Sequence, residues 1–215
     1  MIERWPYRIE TDRLVIRPWD PAEAAILHAM ATRNLDRLAP WMAWAAAGIQ
    51  PLDEMAQLLR RWRAAVDLEQ ELPVGVFLPD GTAIGATGLH ARNGPDAHEI
   101  GYWIDASQEG RGFVTEWTGA LTQVALELLG DDRVEIHHHP DNLRSRAVPA
   151  RLGFADEGVL PRRFPHPDGR QDTRIWSMYA GRLAASPTAA VRYRAFDVLG
   201  REIARPIRGS GSANG

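Results

Sequence analysis

The chain has 215 residues, 25 basic against 28 acidic side chains, a formal net charge of −3 and 45% hydrophobic residues. That balance predicts one packed domain with room for an appendage and excludes a general nucleic-acid binder, which carries a basic excess. With no cysteine in the chain, disulfides, thiolate nucleophiles and cysteine metal sites are excluded too.

Every basic side chain is arginine. No apolar run approaches the ~18 residues of a membrane span, and the start MIERWPYRIETDR lacks a signal-peptide core. The expected setting is a bacterial-type cytoplasm without a membrane partner. Residues 11–18 set Leu14 and Ile16 against Arg13, Val15 and Arg17, which predicts a half-buried strand. Asp20 and Pro21 predict a helix start as cap and first-turn residue. The helix that follows places Ala24, Ile26, Leu27 and Met30 on one face. Residues 34–47 are broken by Pro40 and carry Trp41 and Trp44, with the acidic Asp36 and Glu54 nearby. The two indoles either plug the core or form the aromatic wall of a substrate pocket. Residues 52–68 predict the clearest amphipathic helix, with Met55, Leu58, Leu59, Trp62, Ala65 and Val66 at helical spacing.

The period then changes. Residues 72–78 and 83–91 predict two strands joined by Pro79-Asp80-Gly81-Thr82, a strong hairpin signal. A turn through Asn93-Gly94-Pro95 leads to a third antiparallel strand, 97–105. This strand runs into SQEGRGFVT, residues 107–115, and a helix is predicted over 114–129. A glycine-bearing turn between strand and helix exposes several backbone N–H groups in one direction, where the helix dipole adds positive charge. It is either an ordinary turn or a site for a phosphate or pyrophosphate. No Lys-Ser or Lys-Thr follows, so it is not the phosphate loop of ATPases. Further strands are predicted over 133–139, 154–160 and 173–180, with a polar loop before the last. A helix begins at Asn142, a natural N-cap, contains Pro149 and closes on Gly153. The composition then shifts. The expected domains are 1–183 and a C-terminal extension, 184–215. The extension reads as a linker, a small hairpin around Val198-Leu199-Gly200 that docks on the domain or on a partner, and a flexible GSGSANG end.

With GYW (101–103) before the loop, GRGFVTE (110–116) in it, NLRSRAVPARLGF (142–154) after it and the opening TDRLVIRPWDPAEA (11–24), the chain resembles the GNAT acyltransferase superfamily. Within it the resemblance is to the ribosomal-protein N-acetyltransferase (RimJ/RimL-type) branch, over residues 8–181. It implies an α+β fold of three layers, with a central, largely antiparallel, splayed mixed sheet flanked by helices. It also implies an N-acetyltransferase that uses acetyl-CoA and no metal. By that resemblance the amides around Gly110, Arg111, Gly112, Phe113, Val114 and Thr115 hold the pyrophosphate. Trp103 and Ile104 border the pantetheine arm, Asn142 bonds that arm, and Ser145 lies near the thioester sulfur. The family prefers Arg or Gln where this chain has Glu109, and Gly or Ala where it has Val114.

Direct transfer to an amine needs a proton acceptor. Glu99 is the expected base, with a solvated strand carboxylate as the bland alternative, and Tyr102 is a weaker candidate for acid or positioning. A backbone N–H on the strand before the loop is the expected oxyanion donor. Trp41, Trp44, Glu99 and His137 are the expected acceptor contacts. His137 and His139 share a strand face, but a metal would need a third ligand such as His90 or His98, and a histidine serves more simply as an alternative base. The branch favours a protein N-terminal α-amine as acceptor. The rivals are a small-molecule amine, such as an aminoglycoside or peptide antibiotic, and a non-catalytic acyl-CoA sensor. Monomer and homodimer are both compatible with the sequence.

Overall fold

The computed structural model describes residues 5–205; the GSGSANG end lies outside them. Two short strands come first, β1 (Arg8–Glu10) and β2 (Val15–Arg17). The Asp20 carboxylate accepts from the Ala22 amide at 2.8 Å, and Glu23 accepts from the Asp20 amide at 2.8 Å. This reciprocal capping box starts a 3-10 turn, Pro21–Glu23, and then α1 (Ala24–Arg33). Pro40 separates the short helices α2 (Leu35–Leu38) and α3 (Ala43–Ala46), and α4 (Leu52–Asp67) follows. Next come the meander strands β3 (Leu72–Phe77), β4 (Ala83–His90) and β5 (Ala97–Ile104). α5 (Phe113–Gln123) passes into a π-helical stretch, Val124–Leu129. The remaining elements are β6 (Arg133–His138), α6 (Leu143–Leu152), β7 (Ala155–Phe164), β8 (Gln171–Tyr179), α7 (Ala180–Leu183) and β9 (Arg194–Phe196).

The nine strands form one open sheet in the order β7-β8-β6-β5-β4-β3-β2-β1-β9. Every pairing is antiparallel except β5 with β6. Because side chains alternate along a strand, the register sorts residues onto two faces. Ile9, Ile16, Val74, Val76, Leu89, Ile100 and Val134 meet Trp117 and Leu121 of α5 and Val148 of α6 in the larger core. Phe77, Ala86 and Trp103 lie on the other face, where α1 and α4 supply Leu27, Met30, Met55 and Leu59.

Three details depart from the sequence expectations. The first predicted strand is shorter, because Thr11 turns the chain: its hydroxyl accepts from the Leu14 amide at 3.2 Å, and β1 precedes it as a separate strand. β7 continues through Phe164, taking part of the expected polar loop into the sheet by pairing Phe164 with Gln171. The helix expected over 114–129 ends as an α-helix at Gln123.

That last departure coincides with the docking of the C-terminal segment. Gln123 is fully buried and donates its amide to the carbonyls of Thr188 at 2.9 Å and Val191 at 2.6 Å. A Cβ at Gly119 would stand 2.6 Å from Val191 Cγ2, so only glycine lets the segment lie this close to α5. β9 then pairs with β1, Ala195 opposite Ile9, and a bridge from Phe196 to Glu202 closes a small hairpin.

His138 faces the larger core. Its Nδ1–H donates to the His139 carbonyl at 2.7 Å, and its Nε2 accepts from the Trp176 indole at 3.0 Å. The second bond calls for a neutral ring, and burial pushes its pKa down. The unfolded chain therefore binds this proton first on acidification. Stability contributed here is complete above the ordinary histidine pKa of ~6.5 and is lost as pH falls below it. The melting temperature should decline from pH 6.5 towards pH 5, with a slope of at most ~1.4 kcal/mol per pH unit from this group. In His138→Gln that decline should be shallower; an unchanged slope would assign it to other groups.

Candidate active site

β5 and β6 pair only over Ala97–Arg133, His98–Val134 and Glu99–Glu135. Beyond Glu99 and Glu135 they diverge and open a gap in the sheet. The Asp105 amide bonds the Ile84 carbonyl on β4 at 2.8 Å, which sets the alternation along β5. The amides of Tyr102 and Ile104 therefore point away from β4, into the gap. Past β5, Gly110 and Gly112 adopt φ +75° and +78°. Gly112 caps α5 in the left-handed conformation, which costs a residue with a side chain ~1–2 kcal/mol. Among the described residues no hydrogen bond is donated by the amides of 110–115. Six consecutive N–H groups at a helix N-terminus form an anion cradle.

On the same side of the gap, the Tyr102 hydroxyl stands 3.0 Å from Ser145 Oγ and 3.1 Å from the Ser145 carbonyl. The second contact has a cause four residues on. Pro149 has no N–H, so it cannot make the helical bond to Ser145, and that carbonyl is left for Tyr102. Burial raises the Tyr102 pKa far above the usual range, so the hydroxyl stays protonated and able to donate. Asn142 caps α6 by accepting from the Ser145 amide at 3.0 Å.

The opposite side of the sheet carries a charged array. His137 Nε2 stands 2.7 Å from Glu135 Oε2, and its Nδ1 is 3.6 Å from Glu99 Oε2. Arg92 lies 3.8 Å from Glu99 Oε1. Burial works to raise the Glu135 pKa, but hydrogen bonds from Arg133 and His137 hold it below the usual carboxylate range. Neither Trp41 nor Trp44 sits in the core. Trp44 is 42% exposed, its ring centroid 5.7 Å from that of Trp103, and Trp41 lies 5.7 Å from the His139 ring.

One cleft of about 2020 Å³ joins the two sides through the gap, roomier than a pocket for one small ligand (~300–1,000 Å³). It is lined by Glu99, Tyr102, Trp103, Ile104, Gly110, Gly112, Phe113, Val114, Thr115, Asn142, Ser145, Trp41, Trp44 and His137. Of the site residues predicted from the sequence, Arg111 alone does not line it; its carbonyl accepts from Arg13 at 3.0 Å. The structure adds contacts that the sequence did not disclose. Arg37 donates to the Ile104 carbonyl and pairs with Glu109, which also accepts from Arg144 at 3.0 Å. Glu71 and His90 form a second imidazole–carboxylate pair in the same cleft. Nothing local marks these, because each contact joins elements far apart in the chain. His98 points to the other face and bonds Asp131 at 2.6 Å. Among the described residues there is no group of three or more His, Asp or Glu that could hold a metal ion, and no helix long and apolar enough to cross a membrane.

Residues 13–155 match the model of the acetyltransferase (GNAT) domain. The chain is 32% identical over 148 residues to a Bacillus subtilis (strain 168) protein named "Putative ribosomal N-acetyltransferase YdaF", covering 68% of this chain and 80% of that protein. The solved structure of Mycobacterium smegmatis RimJ in complex with CoA-disulfide superposes with TM-score 0.76 at 24% identity, over 88% of this chain and 95% of that one. The microcin C7 self-immunity acetyltransferase MccE, solved with acetyl-CoA and AMP, superposes with TM-score 0.72 at 23% identity, over 78% and 93%. At those identities the two structures attest the fold.

Proposed function

Since the chain belongs to the GNAT acetyltransferase family and is an N-acetyltransferase, we propose that it transfers the acetyl group of acetyl-CoA directly to the α-amine of a protein N-terminus. The observation that carries this reading is the gap between β5 and β6, with unpaired amides and the Tyr102–Ser145 hydroxyl pair on one side and a carboxylate array on the other. The 110–115 amides hold the pyrophosphate, and the pantetheine arm enters the gap past Trp103, Ile104 and Asn142. The Tyr102 amide, directed into the gap, stabilises the oxyanion. Glu99, at the last paired register on the opposite face, meets the amine and acts as general base. The Tyr102–Ser145 hydroxyl pair gives a proton to the departing thiolate. Trp41, Trp44 and His137 border the acceptor, and indole faces attract a cationic amine.

The N-terminal acceptor is supported by the likeness to YdaF, named as ribosomal, and by the exposed indole at the mouth of the cleft, which suits a chain end arriving from solvent. Thiol release from acetyl-CoA should be measured with unblocked N-terminal peptides and, in parallel, with aminoglycoside and peptide antibiotics. Turnover on the peptides alone is the expected result. Turnover on the antibiotics alone would move the acceptor to a small-molecule amine. No turnover on any amine, with acetyl-CoA still raising the melting temperature, would make the protein an acyl-CoA binder.

A further inference from the structure

His90 ends β4 directly opposite Glu99 on β5, on the acceptor face. Its Nδ1 stands 3.0 Å from Glu71 Oε2. The hydrogen bond from His90 outweighs burial and holds the Glu71 carboxyl below its usual range. Glu71 is therefore an ionised acceptor, which places a ring proton on Nδ1, so that in the neutral ring the lone pair falls on Nε2. Among the described residues Nε2 has no hydrogen-bond partner, and the side chain is 17% exposed in the cleft. The ring lies over two glycines. A Cβ at Gly88 would come 3.0 Å from Nε2, and one at Gly101 would come 3.7 Å from it. Gly101 is two residues beyond Glu99, so the ring reaches along β5 towards the gap.

Direct transfer has two amine protons to remove. The first turns the ammonium into a nucleophile. The second leaves as the carbon–nitrogen bond forms and the nitrogen becomes strongly acidic. A carboxylate suits the second step and not the first. An α-ammonium of pKa ~8 gives its proton to an ordinary imidazole against a gap of ~1.5 units, about thirtyfold, and to an ordinary carboxylate against ~3.5 units, about three-thousandfold.

Resting on the acetyltransferase reading above, we propose that His90, held by Glu71, takes the proton that makes the acceptor amine nucleophilic, while Glu99 takes the one released on attack. The ammonium gives a proton to Nε2. The nitrogen lone pair bonds to the thioester carbonyl carbon, and the second proton passes to Glu99. The carbon–sulfur bond breaks, and sulfur takes a proton from the Tyr102–Ser145 pair, which solvent refills. His90 and Glu99 return theirs to solvent. The sum is an amide, a thiol and one released proton. The charged groups around His90 are Glu71 before β3, Glu99 on β5, Arg92 beyond β4 and, across Glu99, the His137–Glu135 pair. Glu71 touches no substrate and acts as a positioning residue.

The test is the pH dependence of kcat/KM from pH 6.5 to 9.5 on an unblocked N-terminal peptide, for wild type, His90→Gln and Glu71→Gln. His90→Gln should lose about tenfold at pH 7 and return to within about threefold at pH 9.5, where the amine is neutral unaided. Glu71→Gln keeps the ring and should show a smaller loss with the same recovery. The rise in melting temperature with acetyl-CoA should persist in both. A loss below threefold at pH 7, or one equal at both pH values as a merely structural fastening of β4 would give, overturns the proposal. Wild type inactive on every amine overturns the acetyltransferase reading itself; wild type active with His90→Gln unimpaired overturns this inference alone.

Discussion

Glu99→Gln should lower kcat by about a hundredfold or more across the whole range from pH 6.5 to 9.5. Glutamine keeps the shape of the side chain and cannot accept the proton. The nitrogen that has bonded to the thioester carbon must shed a proton at any pH, so alkaline solution does not replace this base. The pH profile therefore separates Glu99 from His90, although the two are paired across adjacent strands. Binding of acetyl-CoA, on the other side of the gap, should be unimpaired, read as an unchanged shift in melting temperature. A kcat within threefold of wild type would pass the base role to His137, which is 3.6 Å away, or to water.

Removing residues 187–215 should cost most of the stability of the fold. Thr188, Tyr193, Ala195, Phe196 and Ile203 are all buried, and large apolar side chains contribute ~1.5–3 kcal/mol each on burial. The loss extends beyond that area. Gln123 would keep a buried amide with neither the Thr188 nor the Val191 carbonyl to bond, a further ~1–3 kcal/mol. The edge of β1 would be bared as well. Against a typical total of ~5–15 kcal/mol, the truncated chain should be insoluble or melt at least 10 °C lower. A melting temperature within 3 °C of the full chain would mean that the segment is a loose attachment.

What the sequence disclosed depended on how locally each feature is determined. The hairpin at Asp80-Gly81, the glycine turn around Arg111 and the helix from Asn142 to Gly153 are decided within a few residues, and all stand where expected. The opposite orientations of His98 and Glu99 follow from strand alternation alone. β1 was invisible, because three residues become a strand only by pairing with β2 and with β9, nearly the whole chain away. The Glu71–His90 pair and the Arg37 contacts fall in the same class. The sequence flagged Pro149 as a helix disturbance. Its consequence, a carbonyl made available to Tyr102, needs the neighbouring strand in place before it can be seen.

The two substrates are proposed to reach the gap between β5 and β6 from opposite sides of the sheet. What is proposed to grip the donor comes from α5, α6, the glycine loop and the end of β5; what is proposed to meet the acceptor comes from β4, β6, Glu99 on β5 and the short helices around Pro40. Changes that refit the protein to a new amine need not disturb how it handles the thioester. Such a scaffold can diversify in what it modifies while conserving what it spends to do so.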